Sequence, residues 1–66
     1  MAKYVLNKLQ VKRLLEDKPV IDCRGRKYLA EKKLKEILQM IDERDLYHKF
    51  EIYIENGEID IVARRL

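Results

Sequence analysis

Apolar and polar positions alternate on both sides of the dipeptide Asn56-Gly57. Asn-Gly is the strongest short hairpin signal, because a type I′ turn needs positive φ at both central residues. Placing it at the turn sets Ile54 against Ile59, Ile52 against Ile61 and Phe50 against Ala63. That face is wholly apolar. The other carries Glu51, Tyr53, Glu55, Glu58, Asp60, Val62 and Arg64. A slip of one residue would expose the entire apolar set, so the register is strongly specified.

Elsewhere the pattern is shorter. Lys3-Tyr4-Val5-Leu6 reads as an opening strand, aromatic and β-branched in its middle. Asn7 then stands as an N-cap with Gln10 three residues on, a capping-box arrangement, while Leu6 and Val11 hold the staple positions. The spacing predicts a helix from about Lys8 to Asp17 with Val11, Leu14 and Leu15 as its apolar stripe; Leu9 lies off that stripe. Lys18-Pro19 ends it, since a residue before proline avoids the α region. Val20, Ile21 and Cys23 predict a strand, Arg24-Gly25 a turn, and Arg26 to Leu29 a return strand. A second helix is expected from about Leu29 to Arg44 on Ala30, Leu34, Ile37, Leu38 and Ile41. Glu31 with Lys35, and Lys32 with Glu36, would pair along its exposed side. Asp42 and Glu43 oppose the helix dipole, so fraying is expected there.

The order is therefore strand, helix, short hairpin, helix, long hairpin. This is an α+β domain with two helices on a small, mainly antiparallel sheet. Residues 1–66 make one domain without repeat or linker. A domain this short buries only about 60% of its unfolded surface, so a partner chain is a natural source of added stability. Cys23 is the only cysteine, which excludes an intrachain disulfide and suits a reducing compartment. A homodimer is expected, with Leu9, Met40, Tyr53 and Val62 as candidate contacts. No apolar run reaches the roughly 18 residues of a membrane span, and the first seven residues turn polar too soon for a signal peptide. The expected location is the cytoplasm, or the host cytoplasm for a viral protein, with no membrane partner.

Charge divides the chain. Residues 1–35 hold eleven Lys and Arg against four Asp and Glu, a net of +7, whereas residues 36–66 hold four against eight, a net of −4. A polyanion would be drawn to the first helix and to the Arg24 to Lys27 turn. Highly charged solvated faces are also common in small proteins, and the pattern is equally that of such a face.

Catalytic chemistry is scarce. The chain has no serine or threonine, and Cys23 and His48 are its lone thiol and imidazole. Nucleophilic catalysis needs an activated nucleophile beside a base. Cys23 reads as a small buried apolar residue and His48 as an exposed one. Structural zinc takes four Cys or His ligands, so no metal and no cofactor are expected. Glu55 and Glu58 flank a surface turn rather than a sheltered acid-base site. With two glycines there is no phosphate loop. A non-enzymatic role is expected.

Val11, Leu14 and Leu15 are followed by Pro19 and then by Gly25-Arg26-Lys27-Tyr28-Leu29. This stretch resembles part of the winged helix-turn-helix of the excisionase and MerR type, in which V-x-x-L-[LI] leads through a proline to a wing ending G-R-[RK]-Y-L. The resemblance implies phosphate contacts from Arg26 and Lys27 in the wing and from Lys12 and Arg13 on the helix.

The expected function is nucleic-acid binding, DNA ahead of RNA, by a small regulator of phage, viral or plasmid type. Lys8, Lys12, Arg13, Arg24, Arg26 and Lys27 are the phosphate-contacting candidates, with Tyr28 under them or stacked on a base. The alternative is an inhibitor or adaptor that binds a host protein through Glu51, Tyr53, Glu55, Glu58 and Asp60, its long hairpin offering an edge for strand addition. The wealth of Lys and Glu beside few Asn, Gln and Cys leans toward a thermophile or its virus, with an AT-rich genome as the other source of that bias. A thermophilic origin predicts a melting midpoint above the roughly 45–65 °C of mesophile domains; calorimetry placing it inside that range would contradict it.

Overall fold

A computed structural model describes residues 3–65. Met1 and Ala2, which open the segment read for a leader, and Leu66 lie outside the described residues. The elements are β1 (Tyr4–Val5), α1 (Lys8–Leu15), β2 (Val20–Ile21), β3 (Lys27–Tyr28), α2 (Lys32–Glu43), β4 (Phe50–Glu55) and β5 (Glu58–Ala63). The fold is α+β, in the expected order. Its strands divide into a three-stranded antiparallel sheet, β1-β4-β5, and a separate two-stranded hairpin, β2-β3.

The long hairpin takes the register that its alternation dictates. Ile54 lies opposite Ile59, Ile52 opposite Ile61 and Phe50 opposite Ala63. Asn56 (φ 55) and Gly57 (φ 78) both occupy the left-handed region that a type I′ turn needs. Ile52 and Ile54 are buried, and β1 joins β4 with Tyr4 opposite Ile54. The N–H of Leu6 donates to the carbonyl of Ile52 at 2.8 Å and carries the pairing to the edge of α1.

Asn7 caps α1 as a capping box. Its side chain accepts from the N–H of Gln10 at 2.9 Å, and its own N–H donates to Gln10 Oε1 at 2.8 Å. Leu6, Val11 and Leu14 are buried together with Val20, Leu38, Ile41, Ile52 and Ile54 in one core. Leu9, off the stripe, is 71% exposed.

Both helices stop earlier than the periodicity suggests, and for the same reason. After α1, Asp17 turns to φ 61, its N–H donates to the carbonyl of Leu14, and that of Lys18 donates to the carbonyl of Arg13. After α2, Asp45 turns to φ 51, with the N–H groups of Asp45 and Leu46 donating to the carbonyls of Asp42 and Ile41. These are Schellman closures with aspartate where glycine is usual. The second helix starts at Lys32 rather than Leu29, because Glu31 is extended (ψ 166) and residues 29–31 cross over from β3. Asp42 and Glu43 stay helical rather than fraying. Ile37, placed on the apolar stripe by its spacing, is exposed. Cys23 is also exposed, because β2 ends at Ile21 and leaves the thiol in the turn. Among the described residues, no helix is long and apolar enough to cross a membrane.

Because Ile41 is fully buried and Leu9 is not, Ile41→Val should cost about 0.5–1.5 kcal/mol. Leu9→Ala should stay within about 0.5 kcal/mol. Urea unfolding checks both, and equal costs would contradict this placement of the core.

Candidate nucleic-acid interface

The structure separates the basic residues between Lys8 and Lys33 that bear on a phosphate site into two groups; Arg44, Lys49 and Arg65, also exposed and without a carboxylate at ion-pair distance among the described residues, lie elsewhere in the chain. The first lies on α1 and is engaged within the molecule. Lys8 stands 3.5 Å from Asp45 and lies over the Tyr47 ring, 5.5 Å from its centre. Lys12 lies 3.9 Å from Asp42. The Tyr47 hydroxyl donates to Asp42 at 2.6 Å; burial first, and then this bond to a carboxylate, push the phenol well above its ordinary pKa. The Arg13 guanidinium donates to the carbonyl of Pro19 at 3.1 and 3.2 Å, tying the end of α1 to the start of β2. Lys35 pairs with Asp17 rather than with Glu31, a contact between helices instead of the expected one along a helix. These contacts hold the C-terminal end of α2 and the exit of α1 in place.

The second group lies between Arg24 and Lys33. Arg24, Arg26, Lys27, Lys32 and Lys33 are all exposed. Among the described residues none of the five has a carboxylate at ion-pair distance. Glu31 is the only carboxylate in that segment. Lys32 and Lys33 open α2, where the free N–H groups of a helix N-terminus add to an anion's attraction.

Asp22 builds the turn that presents these cations. One carboxylate oxygen accepts the N–H groups of Arg24 and Arg26, each at 2.9 Å, and the other accepts the Tyr28 hydroxyl at 3.1 Å. Gly25 sits at φ 80, its N–H donating to the Asp22 carbonyl. With the backbone fixed in this way, the side chains of Arg24 and Arg26 remain in solvent. Tyr28 is half-buried against the core and so supports the turn rather than lying open on the surface. Sequence reading overlooked Asp22 and Lys33 and paired Lys32 with Glu36, a contact that is not among the ion pairs of the described residues. An aspartate two residues before a turn is itself an Asx-turn signal.

The acidic candidates lie on the sheet face away from the helices. Glu51, Tyr53 and Glu55 project there from β4, and Glu58 and Asp60 from β5. Lys3 pairs with Glu51 and stacks 4.6 Å from the Tyr53 ring centre. The hydrogen bond from Lys3 holds the Glu51 carboxyl below its ordinary pKa, and Glu51 in turn raises that of Lys3. The tips of the two hairpins are neighbours, since Arg24 and Arg26 share a surface hollow with Glu55, Asn56 and Gly57. Cys23 lines that hollow, whereas His48 lies beside Tyr47, Glu51 and Arg64, so thiol and imidazole occupy separate places. Among the described residues no cluster of three metal-ligating side chains occurs.

Partial desolvation pushes the Asp22 carboxyl up. The N–H groups of Arg26 and Arg24 and the Tyr28 hydroxyl outweigh it and hold the carboxyl below its ordinary value. A depressed folded-state pKa gives stability that is complete above the unfolded value of about 3.9 and is lost as pH falls through the lower folded value. Carboxyl NMR should therefore give Asp22 a midpoint below about 3.9, and Asp22→Ala should loosen residues 22–28. A midpoint at or above the model-peptide value would remove this role.

Scanned against protein-family models, curated proteins and solved structures, the chain matches none of them.

Proposed function

We propose that this protein binds nucleic acid without catalysing a reaction, gripping phosphates with the β2–β3 turn and the start of α2. The observation that carries this reading is the division of the cations. Those on α1, though exposed, lie against Asp42, Asp45 and the Pro19 carbonyl. Arg24, Arg26, Lys27, Lys32 and Lys33 stand exposed with no intramolecular carboxylate. Arginine forks suit phosphate oxygens, and the contacts release counterions, so affinity falls steeply with salt. DNA is the preferred ligand in this reading, and phage, viral or plasmid regulation its setting.

A second reading is favoured by the bare outer face of the three-stranded sheet. Val5 and Val62 are exposed there among Glu55, Glu58 and Asp60. Such a face suits a basic protein partner.

Binding to duplex DNA and single-stranded RNA should be followed across a salt series. Reversing Arg24 and Arg26 to Glu should abolish binding while leaving the melting midpoint nearly unchanged. Reversing Lys8 and Lys12 should instead lower stability, by up to about 1 kcal/mol for each lost pair. Replacing Glu55 and Asp60 by Lys should strengthen nucleic-acid binding under the first reading and abolish the function under the second. Binding that survives the Arg24 and Arg26 reversal would overturn the first.

A further inference from the structure

Among the described residues the outer edge of β5 is unpaired. The N–H of Arg64 donates to the carbonyl of Lys49, so the backbone groups of Glu58, Asp60 and Val62 face β4 by alternation. Those of Ile59, Ile61 and Ala63 therefore point outward, and among the described residues no backbone group pairs with them. Natural edge strands are blunted by shortness, proline, bulges or charged side chains, lysine above all; the charges of β5, Glu58 and Asp60, lie in its first half. β5 has six residues in unbroken register, with neither proline nor lysine.

Its charges run from acidic to basic along the strand: Glu58 and Asp60 at the start, Arg64 and Arg65 after the end. An antiparallel copy of the same strand reverses that order and is electrostatically complementary to it. Glu58 also faces Glu55 across its own hairpin, with no cation at ion-pair distance from either among the described residues.

We propose that two copies of this chain pair through β5, antiparallel, about a two-fold axis at Ile61. In this register Ile61 meets the partner's Ile61 and Ile59 meets the partner's Ala63 on the core face, while Glu58 meets the partner's Arg64 on the outer face once that guanidinium swings away from its own β4, where its Nε donates to the Phe50 carbonyl at 3.0 Å and its Nη1 lies 4.0 Å from Glu51. Every ionic contact occurs twice by symmetry. Centring the axis on Asp60 sets that carboxylate against the partner's Asp60, like charges directly opposite. Centring it on Val62 sets Ile59 against the partner's Arg65 on the apolar face. The Ile61 register alone avoids both faults. It also draws together the flank of α2 that α1 leaves uncovered. Leu34 shares a hollow with Leu29 and Ile59 at the start of β5, and Ile37 and Met40 are exposed farther along the same flank. Of the earlier candidates, Leu9 and Tyr53 lie on other faces and stay outside this interface, whereas Val62 meets the partner's Asp60 on the outer face.

Sedimentation velocity of the full chain over a concentration series tests the pairing. The unaltered protein should dimerise. Glu58→Arg and Arg64→Glu should each weaken the dimer on the order of tenfold, by turning two attractive pairs into repulsive ones. The double swap should restore it. In the unaltered protein, exchange of the Ile59, Ile61 and Ala63 amides should slow as concentration rises. A monomer at every concentration, a dimer indifferent to the single changes, single losses that the double swap does not repair, or concentration-independent exchange would each overturn the proposal. Arg24 and Arg26 are untouched in these variants, so the result is separate from that for nucleic-acid binding.

Discussion

The pairing of β4 with β5 at Asn56-Gly57 is the constraint on which the rest of this fold depends. It orients Ile52 and Ile54 inward, and every other buried residue packs with them or with the helices above them. It also gives β4 a second edge, where β1 pairs and delivers Leu6 and the Asn7 cap to the start of α1. If the register shifted by one residue, the inward face would become Glu51, Tyr53 and Glu55, and no helix could pack on it. The same pairing creates the two surfaces left without cover: the acidic outer face and the outer edge of β5.

Charge is distributed by role rather than by sequence half. The carboxylates that make the C-terminal half acidic do not form one repelling surface. Asp45 and Asp42 lie beside Lys8 and Lys12, whose side chains stay exposed at the edge of the two helices. Arg24 and Arg26, held outward by the hydrogen bonds of Asp22, sit beside the tip of the acidic hairpin. A phosphate ligand at Arg24 and Arg26 would therefore meet a narrow basic tip bordered by Glu55. Such a border limits how much backbone the tip can follow and favours a short contact over a long electrostatic track.

Local rules made much of the fold legible. The hairpin register, the capping box and the placement of Val11 and Leu14 follow from period, turn chemistry and caps alone. The helix ends did not, because Asp17 and Asp45 adopt the left-handed conformation that glycine usually marks. The partners of Lys35, Lys8 and Lys12 were hidden because the distance between helices is set by packing, not by spacing within one helix. Cys23 looked like a core residue only while β2 was taken to extend past Ile21. At the candidate interface, Arg24, Arg26 and Lys27 were legible as a cationic turn. The support from Asp22 and the carboxylate and carbonyl partners of the α1 cations needed the tertiary structure.

The most direct test of this account is the pattern of Hα–Hα nuclear Overhauser contacts across the long hairpin. Non-hydrogen-bonded antiparallel pairs bring Cα atoms to about 4.5 Å, against about 5.5 Å for hydrogen-bonded ones. Strong Hα–Hα contacts are therefore expected for Ile54 with Ile59, Ile52 with Ile61, and Phe50 with Ala63. Contacts that instead join Ile54 to Glu58 or to Asp60 would show a slipped register. The core face, the bare outer face and the free β5 edge would then all be misassigned.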